Sequence, residues 1–455
     1  MSSLRWLLGV LAVLAVALVI QSGLLAYAAY VLLGVLLLTR LLTREGLHHI
    51  EAERTVSAEE VEAGERIEVE VTVRNAGRLP LPWVLLEDQL PGYALRQRPP
   101  RLRVKGKRLQ IRLLRPGQET TLRYKVECAN RGFYQVGPLV LESGDLFGLH
   151  RRYRVVAPPA YVMVYPKVVP LLGYDVASRR PIGDVRLVHR LYEDPTRIAG
   201  VRPYEAGDPL NRIHWRATAR AGRLHSKIYD PSTLAGATLL LDFHRAGYPS
   251  RGEPHRSDLA ATTAASLAHA VSQLGQQVGL VTNAGDAAER LSATNFRAAL
   301  KRDSSDKDDR RLARAVRAED QRVPEEHRRP LIVPTGRGAE QFQRIREALA
   351  RAELNDGLTL AQLAIEAAPR LPRDATVLAV LPAVPVETAL ALGALKRQGY
   401  AVSVVLVALS DEVELAYGLL AAEGIRDVRP LAGEAALPEL CQAEVTRTPY
   451  TMALS

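Results

Sequence analysis

The side chains best suited to chemistry crowd between residues 202 and 227. Arg202, Tyr204, Asp208, Arg212, His214, Trp215, Arg216, Thr218 and Arg220 fall there, punctuated by Gly207 and Gly222. A hydroxyl with a histidine four residues earlier on one helix face is a nucleophile within reach of a base. His214, Thr218 and Asp208 therefore allow a hydrolase reading. Neither a nucleophile elbow nor positioned oxyanion donors can be read beside them. The same segment also reads as a surface. Arg212, Arg216 and Arg220 make a basic stripe at four-residue spacing, while Leu210, Ile213 and Ala217 share another face. Catalytic residues and a resident cofactor are therefore not expected.

Those side chains need a helix to hold them. Asp208 suits the cap of a first turn, Pro209 the position after it, and Gly222 a left-handed end. A structural alternative gives every member a local duty. In it the three arginines pair with Asp184, Glu193, Asp194 or Glu205, while His214 and Trp215 lock the helix to its neighbours.

The second candidate is Asp242, which ends the apolar run Thr238–Phe243. Such a run marks a strand covered on both faces. Further strands are expected at Val278–Thr282, Thr376–Leu381, Val402–Val407 and near Ile425–Val428. Helices are expected at Ser257–Gly275, Ala339–Ala352, Leu360–Ala368, Val386–Gln398 and Glu412–Ala422. Alternating strands and helices over residues 231–440 imply a doubly wound α/β domain, whose ligands gather at the carboxyl ends of its strands. A von Willebrand factor A domain would carry Asp-x-Ser-x-Ser there to hold a divalent cation. This chain reads Asp242-Phe243-His244-Arg245-Ala246, so both hydroxyls are missing and Arg245 would repel a dication. Asp242 is a weak metal candidate, and no metal site is expected. Residues 284–330 interrupt the pattern with a mixed-charge run that has little to bury, and residues 441–455 form a tail.

Upstream, residues 50–165 alternate with period two. Glu65–Val73 sets Ile67, Val69, Val71 and Val73 on one face; Leu109–Leu113 and Leu122–Cys128 repeat the pattern. Turn signals at Asn75-Ala76-Gly77, Pro91-Gly92, Pro116-Gly117 and Asn130-Arg131-Gly132 separate the strands. An immunoglobulin-like β-sandwich is expected, with Leu79–Trp83 as an edge strand guarded by proline. Residues 166–230 join the two domains and contain the basic helix.

Residues 1–44 are strongly apolar. Spans of about 4–20 and 24–42, broken by Gln21-Ser22-Gly23, suggest a transmembrane helical hairpin contacting the lipid bilayer. A secretory signal cleaved near Ala26-Tyr27-Ala28 is the competing reading; the apolar run resumes at once and continues to Leu38. Arg5, Arg40 and Arg44 flank the hairpin, which places both ends, and the soluble domains, on the cytoplasmic side of the membrane.

The 455 residues carry a net charge of +10, which favours an acidic partner. Anionic lipid or nucleic acid on the basic stretch 179–227 is an alternative, although no nucleic-acid-binding motif is visible and nucleic acid is not the expected partner. Two cysteines, Cys128 and Cys441, give neither a disulfide framework nor metal-site spacing.

Arg202, Tyr204, Gly207, Asp208, Arg212, Ile213, His214, Trp215, Thr218, Ala219, Arg220, Gly222 and Leu224 together resemble the signature of a bacterial family called domain of unknown function 58. Arg131-Gly132-Phe133-Tyr134, Gly137-Pro138, Asp145–Leu149 and Val164-Tyr165-Pro166 are similar to its flanks. The resemblance implies a membrane-anchored, von Willebrand factor A-like scaffold or adaptor. It implies partnership with a MoxR-type AAA+ ATPase and with other von Willebrand factor A-like proteins, in the assembly or maturation of further proteins. It supplies no catalytic residue.

Overall fold

The computed structural model describes residues 49–144, 151–172, 193–205, 213–231, 236–249, 252–292, 329–372, 376–407 and 410–441, with scattered positions between 9 and 47. The chain forms two compact units. One takes residues 1–167, 286–327 and 349–353; the other takes 168–285, 328–348 and 354–455.

The first unit is built from two four-stranded sheets. One runs β1 (Ile50–Val56), β3 (Arg66–Asn75), β7 (Glu119–Cys128), β5 (Leu102–Gly106) in spatial order. The other runs β10 (Arg151–Ala157), β9 (Leu139–Gly144), β4 (Leu81–Asp88), β6 (Leu109–Leu114). All the pairings within them are antiparallel. A three-stranded sheet of β2 (Glu60–Glu62), β11 (Ala160–Tyr165) and β8 (Gly132–Val136) completes the unit.

Period-two alternation explains the core. Ile67, Val69, Val71 and Val73 of β3, with Leu122, Tyr124 and Val126 of β7, pack in one cluster with Val84 and Leu86 of β4 and with Leu139 and Leu141 of β9. Two sheets around one shared core make a β-sandwich. Its buried polar centre is Asp88, fully enclosed, which accepts from Tyr124 Oη at 2.6 Å and forms an ion pair with Arg54. Burial and the Asp88 carboxylate together raise the Tyr124 phenol far above its ordinary range. Elsewhere in this unit, Arg131 is buried and donates to the carbonyls of Leu349 (2.7 Å) and Ala352 (2.8 Å).

Three expectations change here. The transmembrane hairpin is not supported, because among the described residues no helix is long and apolar enough to cross a membrane. Much of both expected spans lies outside the described residues.

Leu81–Asp88 is an interior strand rather than an edge, paired to β9 on one side and β6 on the other. Pro82 is tolerated because the ladder to β6 shifts register between Leu81 and Val84, and the ladder to β9 begins only at Val84. The alternation in Leu109–Leu113 is real, but it turns the apolar side chains outward. Leu109, Ile111 and Leu113 are exposed, whereas Leu114 is buried.

The second unit holds a six-stranded sheet. Its order is β16 (Leu331–Gly336), β15 (Gln277–Thr282), β14 (Gly236–Leu241), β17 (Thr376–Leu381), β18 (Ala401–Leu406), β19 (Val428–Pro430). Every pairing is parallel except that of β16 with β15. Strand order reverses between β14 and β17, which makes their carboxyl ends a topological switch point. β14 and β17 are buried at every position, as expected of strands covered on both faces. The helix His255–Gln273 buries an alanine-rich face, and Leu360–Ala367 opens with a capping box of Thr359 and Gln362. A separate hairpin pairs β12 (Glu193–Pro203) with β13 (His225–Pro231). The interrupting segment is not charged surface from its start. Residues 287–292 are helical, with Ala287 and Leu291 buried. These residues belong to the first unit, where Arg290 pairs with Glu353 at 2.8 Å; residues 293–328 lie outside the described residues.

Candidate functional site

The signature helix covers Trp215–Ala221 and sits between the strands of the β12–β13 hairpin in sequence. Its described start is Trp215 and its cap is His214; the expected cap, Asp208, falls on residues that are not described. The Ala217 amide is shared between the His214 Nδ1 and the His214 carbonyl, each accepting at 3.0 Å. Accepting at Nδ1 requires that nitrogen to be unprotonated, so the neutral ring carries its proton on Nε2. Gly222 closes the helix at φ +64°, its amide donating to the Thr218 carbonyl. Gly207, Asp208 and Arg212 lie outside the described residues.

Local bonds then fasten the helix to the hairpin. The His214 amide donates to the His225 carbonyl at 2.8 Å, and the His225 amide donates to Thr218 Oγ1 at 3.1 Å. Tyr204 donates its amide to the Leu224 carbonyl, and Ile213 bridges Ser226, both of the latter pair buried. His214 and Thr218 are thus each directed at backbone. The described contacts do not join them as base and nucleophile.

The remaining side chains face outward. Trp215 is 69% exposed and Leu224 44%. Arg216, Arg220 and Arg223 are exposed as well. Trp215 therefore does not lock the helix to its neighbours. Glu205 pairs with Arg202 at 3.5 Å, and among the described residues no carboxylate pairs with Arg216 or Arg220. Asp184 lies outside the described residues, as do the side chains of Glu193 and Asp194. An indole and several guanidinium groups on one rigid exposed turn match the composition of protein-binding hot spots.

Asp242 stands at the carboxyl end of β14, at the switch point, yet it points into the fold. Its Oδ1 accepts from Asn283 Nδ2 (2.8 Å) and from the His244 amide (2.9 Å). Asn283 returns its own oxygen to the Phe243 amide (2.6 Å) and donates to the Leu358 carbonyl (3.0 Å). Burial raises the Asp242 carboxyl above the ordinary carboxylate range, against the lowering effect of Asn283 and His244. Tyr248 Oη donates to the Asp242 carbonyl at 2.7 Å, and Gly247 packs on Pro382, where an added Cβ would come within 2.6 Å. His244 accepts from the Ala246 amide, while Arg245 turns away to Asp356 at 3.0 Å. The carboxyl ends of β14 and β17 are thereby covered by residues 243–248 of the chain itself. Nearby, the buried Arg256 donates to the carbonyls of Pro382 and Val407 and to Glu412.

No group of three or more His, Cys, Asp or Glu residues placed to hold a metal ion occurs among the described residues. Cys128 is buried, which pushes its thiol up to about 12; burial likewise pushes Cys441 up to about 11. Both thiols are therefore poor nucleophiles. The partnership of Asn283 with Asp242 is not visible from sequence position alone. The signal lies in the parallel register, since Thr282 opposes Leu241 and the residues following each must be neighbours.

Comparison with known proteins finds a similarity to a family over a segment that includes this helix. Residues 200–303 match the model of the family described as "Protein of unknown function DUF58". The matched residues include the Trp215–Ala221 helix and run on through β14, the His255–Gln273 helix and β15. The uncharacterized protein YeaD of Bacillus subtilis (strain 168) is 26% identical over 255 residues, 56% of this chain. The match spans 61% of that relative's own length. Among solved structures, the CARDB domain of a Pyrococcus furiosus protein covers 25% of this chain and 91% of its own, with 16% identity and a TM-score of 0.18. Proximal thread matrix protein 1 from the mussel byssus covers 46% of each chain, with 10% identity and a TM-score of 0.28. Likenesses this slight do not bear on function.

Proposed function

We propose that this chain is a non-enzymatic adaptor that binds another protein through the outward face of the helix Trp215–Ala221. The observation that carries the reading is the exposure of Trp215 on a helix whose polar residues His214 and Thr218 are fastened to backbone. Exposing an indole forgoes about 1.5–3 kcal/mol of burial, and a rigid aromatic flanked by arginines is suited to recover it against a partner. Asp242, at the ligand position of the sheet, is engaged internally, so contact through the surface accounts for more of the site than a bridging cation does. The family resemblance names the expected partner: a MoxR-type AAA+ ATPase, alongside other von Willebrand factor A-like proteins.

The test is binding of purified chain to such an ATPase. Trp215→Ala should weaken binding about 30-fold, the scale of one hot-spot residue at about 2 kcal/mol. The pair Arg216→Glu with Arg220→Glu should weaken it further and flatten its salt dependence. Affinity untouched by all three changes removes the helix from the interface. Turnover of a generic ester, peptide or phosphate substrate that disappears in His214→Ala would put the hydrolase reading in its place.

A further inference from the structure

A separate feature of the first unit points to a second copy of this chain. Strand β6 (Leu109–Leu114) is the edge of its sheet, paired among the described residues to β4 alone. Leu109, Ile111 and Leu113 are 48%, 65% and 50% exposed. Leu85, directly opposite Ile111 on β4, is half-buried on the same face. An edge strand with an outward apolar row is a template for pairing with another strand.

The backbone of β6 says which groups are on offer. Asp88 donates its amide to the Arg108 carbonyl across the β4–β6 ladder at 2.9 Å. Antiparallel pairs alternate between hydrogen-bonded and non-bonded, so Gln110 and Arg112 bond toward β4. The amides and carbonyls of Leu109, Ile111 and Leu113 therefore face the open edge. These are the same residues that show apolar side chains.

The sequence across this edge is close to self-complementary. In an antiparallel pair of two copies with a two-fold axis through Ile111, Leu109 faces Leu113, Ile111 faces Ile111, and Gln110 faces Arg112. Sliding by one pleat in one direction sets Arg108 against Arg112; in the other it sets Arg112 against itself. Like charges directly opposite are destabilising, so charge selects one register. We propose that the chain forms a two-fold dimer by antiparallel pairing of the β6 edges, centred on Ile111. A seam of two short strands is smaller than the roughly 1,200 Å² of a stable interface, so the dimer is reversible and concentration-dependent.

The test uses single cysteines in the full chain with Cys441→Ser, and a short bis-maleimide as the probe. Ile111→Cys should cross-link to twice the chain mass. Leu109→Cys and Leu113→Cys should each cross-link at least tenfold less alone, but efficiently when mixed one to one. A charge pair provides the second arm. Gln110→Glu, which would face Arg112 of the other copy, should increase cross-linking at Ile111→Cys, and Gln110→Lys should suppress it. These positions are on the surface, and unchanged circular dichroism verifies that each variant folds. Absence of cross-linking at Ile111→Cys overturns the dimer. Equal cross-linking by all three single cysteines overturns the register, as does indifference to the sign of charge at residue 110.

Discussion

Trp215 and Asp242 belong to one compact unit, and each is the residue of its neighbourhood best suited to meet another molecule. They are used in opposite ways. Asp242 sits where a doubly wound sheet offers its ligand position, but Asn283, the His244 amide and the 243–248 segment engage or cover it. Trp215 lies on a helix of about two turns, fastened through its backbone, His214 and Thr218, and its indole is left in solvent. A residue's chemistry therefore does not say whether it serves the fold or a partner. What decides is whether neighbouring groups have already satisfied it.

That contrast can be broken by mutation. Asn283→Ala should have the largest effect, a loss of about 2–3 kcal/mol in denaturant unfolding, because Asp242, the Phe243 amide and the Leu358 carbonyl all lose a buried partner. A loss under about 0.5 kcal/mol would mean that Asp242 is not a structural node. Asp242→Asn addresses the same node through pH. Burial raises this carboxyl, so the folded state holds its proton more tightly than the unfolded chain. The stability this confers is complete below the unfolded value of about 3.9 and is lost as pH rises through the folded value. Asp242→Asn should therefore gain on the native chain as pH climbs above about 4, with the gap closing in acid. Parallel pH profiles of melting temperature would contradict this.

His214→Ala removes the cap that presents Trp215 and should cost about 1 kcal/mol, read as faster amide exchange in residues 215–221. Trp215→Ala should have the smallest effect on folding, within about 0.5 kcal/mol. A loss of several kcal/mol would instead mean that the indole is buried in solution, and the contrast would fail.

Much of the local structure is legible because periodicity reports burial. The apolar runs at Thr238–Leu241 and Thr376–Leu381 read as covered strands, and the alternation of Ile67, Val69, Val71 and Val73 as a half-buried one. Periodicity does not report which face is covered. Leu109, Ile111 and Leu113 have the same pattern and face solvent, because the register of β6 on β4 puts them on the pleat opposite the buried Leu114. Leu331–Gly336 gives no clean strand signal because Pro334 interrupts it; at the antiparallel edge of the sheet a missing donor is tolerable. The apolar character of residues 4–42 suggests spans that no described helix provides. Within the signature, Gly222 announces its left-handed turn, but the cap at His214 is not announced. A histidine that caps through Nδ1 leaves no mark in the sequence beyond its distance from a glycine.

The interleaving of the two units governs how the chain can be made. Arg131 belongs to an early strand region, but the carbonyl of Leu349 that receives it lies 218 residues later. At translation speeds of about 5–20 residues per second, the guanidinium must wait roughly 10–40 s for its acceptor. A nascent chain released before Leu349 is added would carry that buried cation without its carbonyls. The first unit is thus finished late in synthesis, and a fragment cut after residue 167 is a poor substitute for it.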